Sequence, residues 1–140
     1  MSVSLKIDKI NFSKERCSIL LKVEGDQAFL NRDQFCDLIL QNYPGIEKQK
    51  CVNSHGKLFG DCMKTTSLPH IFEHCILSEI ARSKRGLRDI DKERKFLATT
   101  QNLSGNLARI ELNYYDDIET LRAIKQALCV LNGILATSQS

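Results

Sequence analysis

Apolar and polar residues alternate from the start of the chain. Leu5, Ile7, Ile10 and Phe12 are separated by lysine, aspartate and asparagine, and the apolar run Ser18-Ile-Leu-Leu-Lys-Val23 follows. A period near two marks half-buried strands, and the polar stretch 13–16 between the two segments predicts a β-hairpin. From Asn31 the period lengthens. Phe35, Leu38, Ile39 and Asn42 recur at helical spacing, with Asn31 placed to cap the first turn. Tyr43-Pro44-Gly45 ends that helix, because proline has no N–H to donate and disfavours helical geometry in the residue before it.

Residues 46–52 predict a short third strand, and 53–56 a turn. A second helix begins at Ser67, whose hydroxyl can cap, with Pro69 in the first turn where a missing N–H does no harm. It is expected to run to about Lys84, with Gly86 just past its end. A charged connection spans 82–94. Residues 95–100 and 107–114 predict a second hairpin around 102–105. Asp116 and Asp117 then open a third helix, negative charge at its positive end, in which Leu121, Ile124, Leu128 and Leu131 recur every three or four positions. The predicted order is β-β-α-β-α-β-β-α. Such a series packs most economically as an α+β fold, a mostly antiparallel sheet with helices on one face. Residues 1–136 are expected to form one domain, with 137–140 a frayed tail.

Composition narrows the function classes. The 140 residues are 42% apolar and 26% charged, enough for one core and too balanced for bulk disorder. Basic residues number 20 against 17 acidic ones, and aromatics make up 6% with no tryptophan, which argues against a nucleic-acid surface. No apolar run approaches the ~20 residues that cross a bilayer, and no membrane partner is expected. The charged start does not resemble a secretory signal, so a cytoplasmic location is expected. On that expectation the six cysteines are reduced and mostly buried thiols.

The stretch that carries chemistry is Ser67-Leu-Pro-His70-Ile-Phe-Glu73-His74. At ~100° per residue, positions 70, 73, 74, 77, 78 and 81 share one helix face. His70 and His74 can therefore reach one cation, zinc or another divalent metal. Glu73 lies beside them to take a proton from water as general base. This is the inverted zinc-protease spacing, histidine-x-x-glutamate-histidine. A third ligand is required. Glu79 is turned about 180° away, Cys75 faces away too, and Leu77 and Ser78 are poor zinc ligands. Cys51, His55, Cys62, Glu111, Asp116 and Asp117 all remain candidates. The basic residues Lys84, Arg85, Arg88, Lys92, Arg94 and Lys95 are interspersed with Asp89, Asp91 and Glu93, the pattern of a solvated face. Gly56-Lys57 lacks the spacing of a phosphate loop.

Across residues 43–131 the chain resembles the N-terminal domain of cyanophycin synthetases. The resemblance lies in the order of Pro44-Gly-Ile46, Cys51, Gly56 with Phe59, Thr65-Thr66 and His70-x-x-Glu73-His74, then Phe96 with Thr99, and Ile110-Glu-Leu-Asn-Tyr-Tyr-Asp-Asp117. It implies an α+β unit, in some members with a metal-dependent site that cuts an aspartate–arginine polymer, and it carries metal binding to His70 and His74 and the base role to Glu73. Two departures stand out. Ser78 replaces a glutamate common in the family, and the stretch 95–100 lacks two family arginines. Pitrilysin-type proteases and S-ribosylhomocysteine lyases share the helix motif. The first are much longer, and the second take a later cysteine ligand, which no residue between Cys75 and Cys129 supplies.

The expected function is metal-dependent hydrolysis of an amide in a peptide-like polymer. The competing expectation is a non-catalytic binding or structural module of the same fold with an incomplete metal site. The apolar last helix suits a homo-oligomer as well as a core.

Overall fold

The computed structural model describes residues 2–53, 56–83, 98–114 and 116–139. Strands β1 (Ser4–Ser13) and β2 (Arg16–Glu24) form the first hairpin, turning through Glu15 at a φ of 69°. The apolar residues of β1 change parity between Ile7 and Ile10, and a bulge between Ile7 and Lys9 accommodates the change. The extra residue, Asp8, returns Ile10 to the partly buried side that Leu5 and Ile7 occupy.

Helix α1 (Arg32–Asn42) starts where the Asn31 side chain accepts the Gln34 N–H, and Tyr43 caps its end. Gly45 follows at a φ of 92°, a left-handed conformation that suits glycine. That turn changes the next segment. The strand expected over 46–52 is instead a 3-10 turn at Ile46–Lys48 followed by β3 (Lys50–Asn53). The chain then adds β4 (Gly56–Leu58), which pairs with β3 in a separate two-stranded sheet. Helix α2 (Leu68–Ser83) follows a 3-10 turn at Phe59–Asp61, and the Ser67 hydroxyl accepts the His70 N–H at its start. The expected C-terminal signals at Lys84 and Gly86 lie outside the described residues, as do His55, Phe96 and the basic connection 84–95.

Strands β5 (Ala98–Asn102) and β6 (Leu107–Asn113) make the second hairpin. Helix α3 (Asp117–Thr137) is capped by Asp116, whose carboxylate accepts the Glu119 N–H. The four-stranded sheet is antiparallel throughout in the order β1-β2-β6-β5, with the helices packed on it. The α+β class is as expected. Cys17, Ile19 and Leu21 of β2 and Ile110 and Leu112 of β6 meet Ile71, Phe72, Cys75 and Ile76 of α2 and Ile124 and Leu131 of α3 in one core. Their burial is the main driving force for the fold.

Two contacts fix the sheet's surroundings. The side-chain amide of Asn132 on α3 accepts the Leu5 N–H at 2.8 Å and donates to the Leu5 carbonyl at 2.9 Å, standing in for a neighbouring strand on the outer edge of β1. The tail, expected to fray, is tied down. Ser138 is fully buried, its carbonyl accepts the Asn31 N–H, and Gln139 bridges to Leu30. No helix among the described residues is long and apolar enough to cross a membrane.

Candidate metal centre

The α2 face brings His70, Glu73 and His74 together as the spacing requires. Ring centroids of the two histidines lie 4.9 Å apart, edge to face. The ring of Phe59 stacks on His74 at 4.0 Å and meets His70 edge-on at 5.6 Å, fixing both planes. The third member comes from β3. Cys51 Sγ is 3.3 Å from His70 Nε2, and ligand atoms of Cys51, His70 and His74 lie within 4.8 Å of one another. In a tetrahedral zinc site, bond lengths of ~2.3 Å to sulfur and ~2.0–2.1 Å to nitrogen put those donors about 3.5 Å apart. The group fits that span with a small side-chain adjustment. A Cys/His/His set therefore can hold a metal ion.

The far ring nitrogens are oriented as metal-binding imidazoles require. His74 Nδ1 lies 2.7 Å from Gln49 Oε1, and a carbonyl oxygen only accepts, so Nδ1 carries the proton. Gln49 is itself held, donating from Nε2 to Ser78 Oγ at 2.7 Å. His70 Nδ1 pairs with the Thr66 hydroxyl at 2.7 Å, which leaves Nε2 aimed at Cys51.

His74 Nε2 is then a bare lone pair, buried and without a hydrogen-bond partner among the described residues. Glu73 Oε2 is 3.5 Å away, too far for a good hydrogen bond and an ion pair only if the ring is protonated. Burial and the neighbouring His70 push the His74 pKa down to about 3, so the ring is neutral near pH 7. Burial also lowers the pKa of His70. Glu73, 5% exposed, has its pKa raised by burial, partly offset by the Thr100 hydroxyl, which donates to Oε1 at 2.6 Å. Two acceptors facing each other at 3.5 Å in a buried setting call for a proton or a cation between or beside them.

The other third-ligand candidates are placed elsewhere. Cys62 is buried and hydrogen-bonds to Cys51 and to the Phe59 carbonyl, beside the group but outside it. Glu111 stands on β6 opposite Ser18 and Thr99, Asp116 caps α3, and Asp117 lies in its first turn. His55 is not among the described residues. Glu79 and Cys75 are turned from the histidines, but into the interior. Cys75 is fully buried, and Glu79 Oε2 accepts the Tyr43 hydroxyl at 2.7 Å.

Residue types alone did not reveal Gln49, Thr66 and Thr100, the partners that hold the three functional side chains. One sequence signal pointed that way. Gln49 and Cys51 are two apart at the entry to an extended segment, so their side chains face the same side.

The site opens into a cleft of about 1040 Å³. Its walls include Gln49, Lys50 and Cys51 on one side and Ala98, Thr99, Thr100 and Asn102 on the other, with His70, Glu73, His74 and Leu77 of α2 between them. No family model, no curated protein and no solved structure matches this chain.

Proposed function

We propose that this protein is a metal-dependent hydrolase that cuts an amide bond in a peptide-like polymer, with zinc or another divalent cation held by Cys51, His70 and His74. The observation that carries this reading is the convergence of Cys51, His70 and His74, whose ligand atoms lie within 4.8 Å of one another, with His74 Nε2 buried and without a hydrogen-bond partner among the described residues. Among the described residues three protein donors lie beside an accessible cleft, the pattern of a catalytic zinc site, whereas structural sites are closed by four. When bound, the cation supplies Lewis acidity toward the amide carbonyl and acidifies water.

Every remaining role falls to the chain. The Gln49 carbonyl sets the His74 tautomer by accepting from Nδ1, and the Thr66 hydroxyl positions the His70 ring. Glu73 stands outside the donor group and is the general base, taking a proton from water and returning it to the leaving amine. Its raised pKa moves it toward the operating range of a base, and the Thr100 hydroxyl fixes the carboxylate. No covalent intermediate is needed, so Cys51 serves as ligand and not as nucleophile. The resemblance of residues 43–131 to the cyanophycin synthetase N-terminal domain supports the same substrate class.

Elemental analysis of untagged protein tests the metal. Zinc near one equivalent, lost in His74→Ala with the fold retained, is the expected result. Fully folded protein that takes up no zinc on titration overturns the reading. A non-catalytic module of the same fold is the outcome if zinc binds but no amide in a peptide library is cut.

A further inference from the structure

We propose that the outer edge of β5 is a peptide-binding edge. An extended peptide pairs, main chain to main chain, with Ala98–Asn102 and so lies along the Cys51/His70/His74 group. The cutting of that peptide rests on the hydrolase reading above, but its binding does not.

The hydrogen-bond phase of the sheet supports this. β5 is last in the order β1-β2-β6-β5. The Leu103 N–H donates to the Leu107 carbonyl at 2.8 Å, in register with the pairs Thr99↔Glu111 and Gln101↔Arg109. In an antiparallel ladder, alternate residues turn their backbone groups to the same neighbour. Thr99 and Gln101 therefore bond to β6, and Ala98, Thr100 and Asn102 turn their N–H and C=O groups outward. The other side of β6 has the matching phase. The Val23 N–H donates to the Asn106 carbonyl at 2.9 Å, which assigns residues 108, 110 and 112 to β2. Among the described residues, no strand pairs with the outer edge of β5.

Ala98, Thr100 and Asn102 all line the cleft that holds the metal-ligand group. Thr100 faces two ways, its backbone toward the open edge and its hydroxyl toward Glu73 at 2.6 Å. A peptide residue paired with Thr100 thus lies next to the general base. Five residues of strand span roughly 17 Å, enough to align several peptide units. The occupant is an extended peptide, because the edge borders the cleft that Lys50, Cys51 and the metal-ligand group also line. An outward row of alternating donors and acceptors is complementary to any extended peptide main chain, so recognition is tolerant of side chains.

The test uses zinc-loaded Glu73→Gln protein, so that nothing is cut, and two libraries of capped heptapeptides. One library is unmodified and the other N-methylated at every second residue. Expected are amide shifts and exchange protection at Ala98, Thr100 and Asn102 with the first library, and binding weaker by about tenfold or more with the second. Ala98→Pro removes one outward N–H and leaves the β6 ladder intact. It should weaken binding by about tenfold with zinc content unchanged. Equal binding of both libraries, shifts confined to β3 or α2, or no binding overturns the proposal. So does protection of the same amides in peptide-free protein that sediments as a dimer, which makes a second copy the occupant. If the protein takes up no zinc but the edge amides still shift, the hydrolase reading falls and this one stands.

Discussion

Glu73 and Glu79 are both buried on α2, at 5% and 2% exposure, and their surroundings differ in kind. Glu79 is provided for locally. The Tyr43 hydroxyl donates to it at 2.7 Å and Arg82 lies 3.8 Å away. Arg82 also stacks over the Tyr43 ring and donates to the Asn42 carbonyl, closing the end of α1 against α2. Glu73 has one short hydrogen bond, from Thr100, and beyond it faces the lone pair of His74. The first arrangement is complete as it stands and does structural work. The second has no lysine or arginine in ion-pair contact among the described residues, and it opens into a cleft. An incomplete buried polar cluster costs stability, which is why such clusters mark sites where something else binds.

Four measurements sharpen or break that contrast. The largest effect is expected at Glu73. Glu73→Gln should lower amide hydrolysis by about 10²–10⁴-fold while zinc stays bound, the range for loss of a general base. An unchanged rate removes the base role. At the other carboxylate, Tyr43→Phe leaves Glu79 without its buried donor and should cost about 1.5–3 kcal/mol of stability, read from urea unfolding. Zinc content should not move. A loss of zinc in that variant would erase the distinction between the two clusters.

Next, Gln49→Leu removes the acceptor that fixes the His74 tautomer. Competition with a chelator should show zinc affinity reduced by about 10–100-fold, the usual effect of losing the partner of a ligating histidine. The smallest effect is in the acid stability of metal-free protein. The folded His74 pKa of about 3 lies below the unfolded value of 6.5, so this residue's contribution falls as pH drops between those values. Glu73 acts oppositely. Its raised pKa gives a contribution that is full below 4.5 and is lost as pH rises through the folded value. The two partly cancel above pH 4.5, and the steep loss, about 1.4 kcal/mol per pH unit per proton, should lie below it. Glu73→Gln should extend that slope upward toward pH 6.5. Superimposable pH profiles for parent and variant would contradict the assignment.

The parts of this picture legible in the sequence are those governed by local rules. Asn31, Ser67 and Asp116 cap the three α-helices among the described residues as their side chains allow, and helical spacing alone put His70 and His74 on one face. The sheet hairpins followed from alternation, with the end of β5 two residues later than expected. Non-local facts were not legible. Cys51 was one of several equal candidates because its distance to His70 is set by how the β3–β4 hairpin docks on α2. From the sequence Ser78 reads as a poor ligand and as a departure from the family's glutamate, whereas its hydroxyl holds Gln49 through a tertiary contact. The strand expected over 46–52 begins only at Lys50, because the Gly45 turn continues into a 3-10 segment, a backbone effect that side-chain alternation does not encode.

Asn132 has a consequence for how copies of this protein can meet. A sheet with two unguarded borders can add molecules head to tail without end, each offering its far side to the next, and the result is a fibre. Here one border is stoppered at Leu5 by a side-chain amide from within the same molecule, and Lys6 and Lys9 lie along the remainder. Growth by strand addition thus ends at a closed pair, and a chain with a border able to grip foreign peptides remains protected from gripping itself in series.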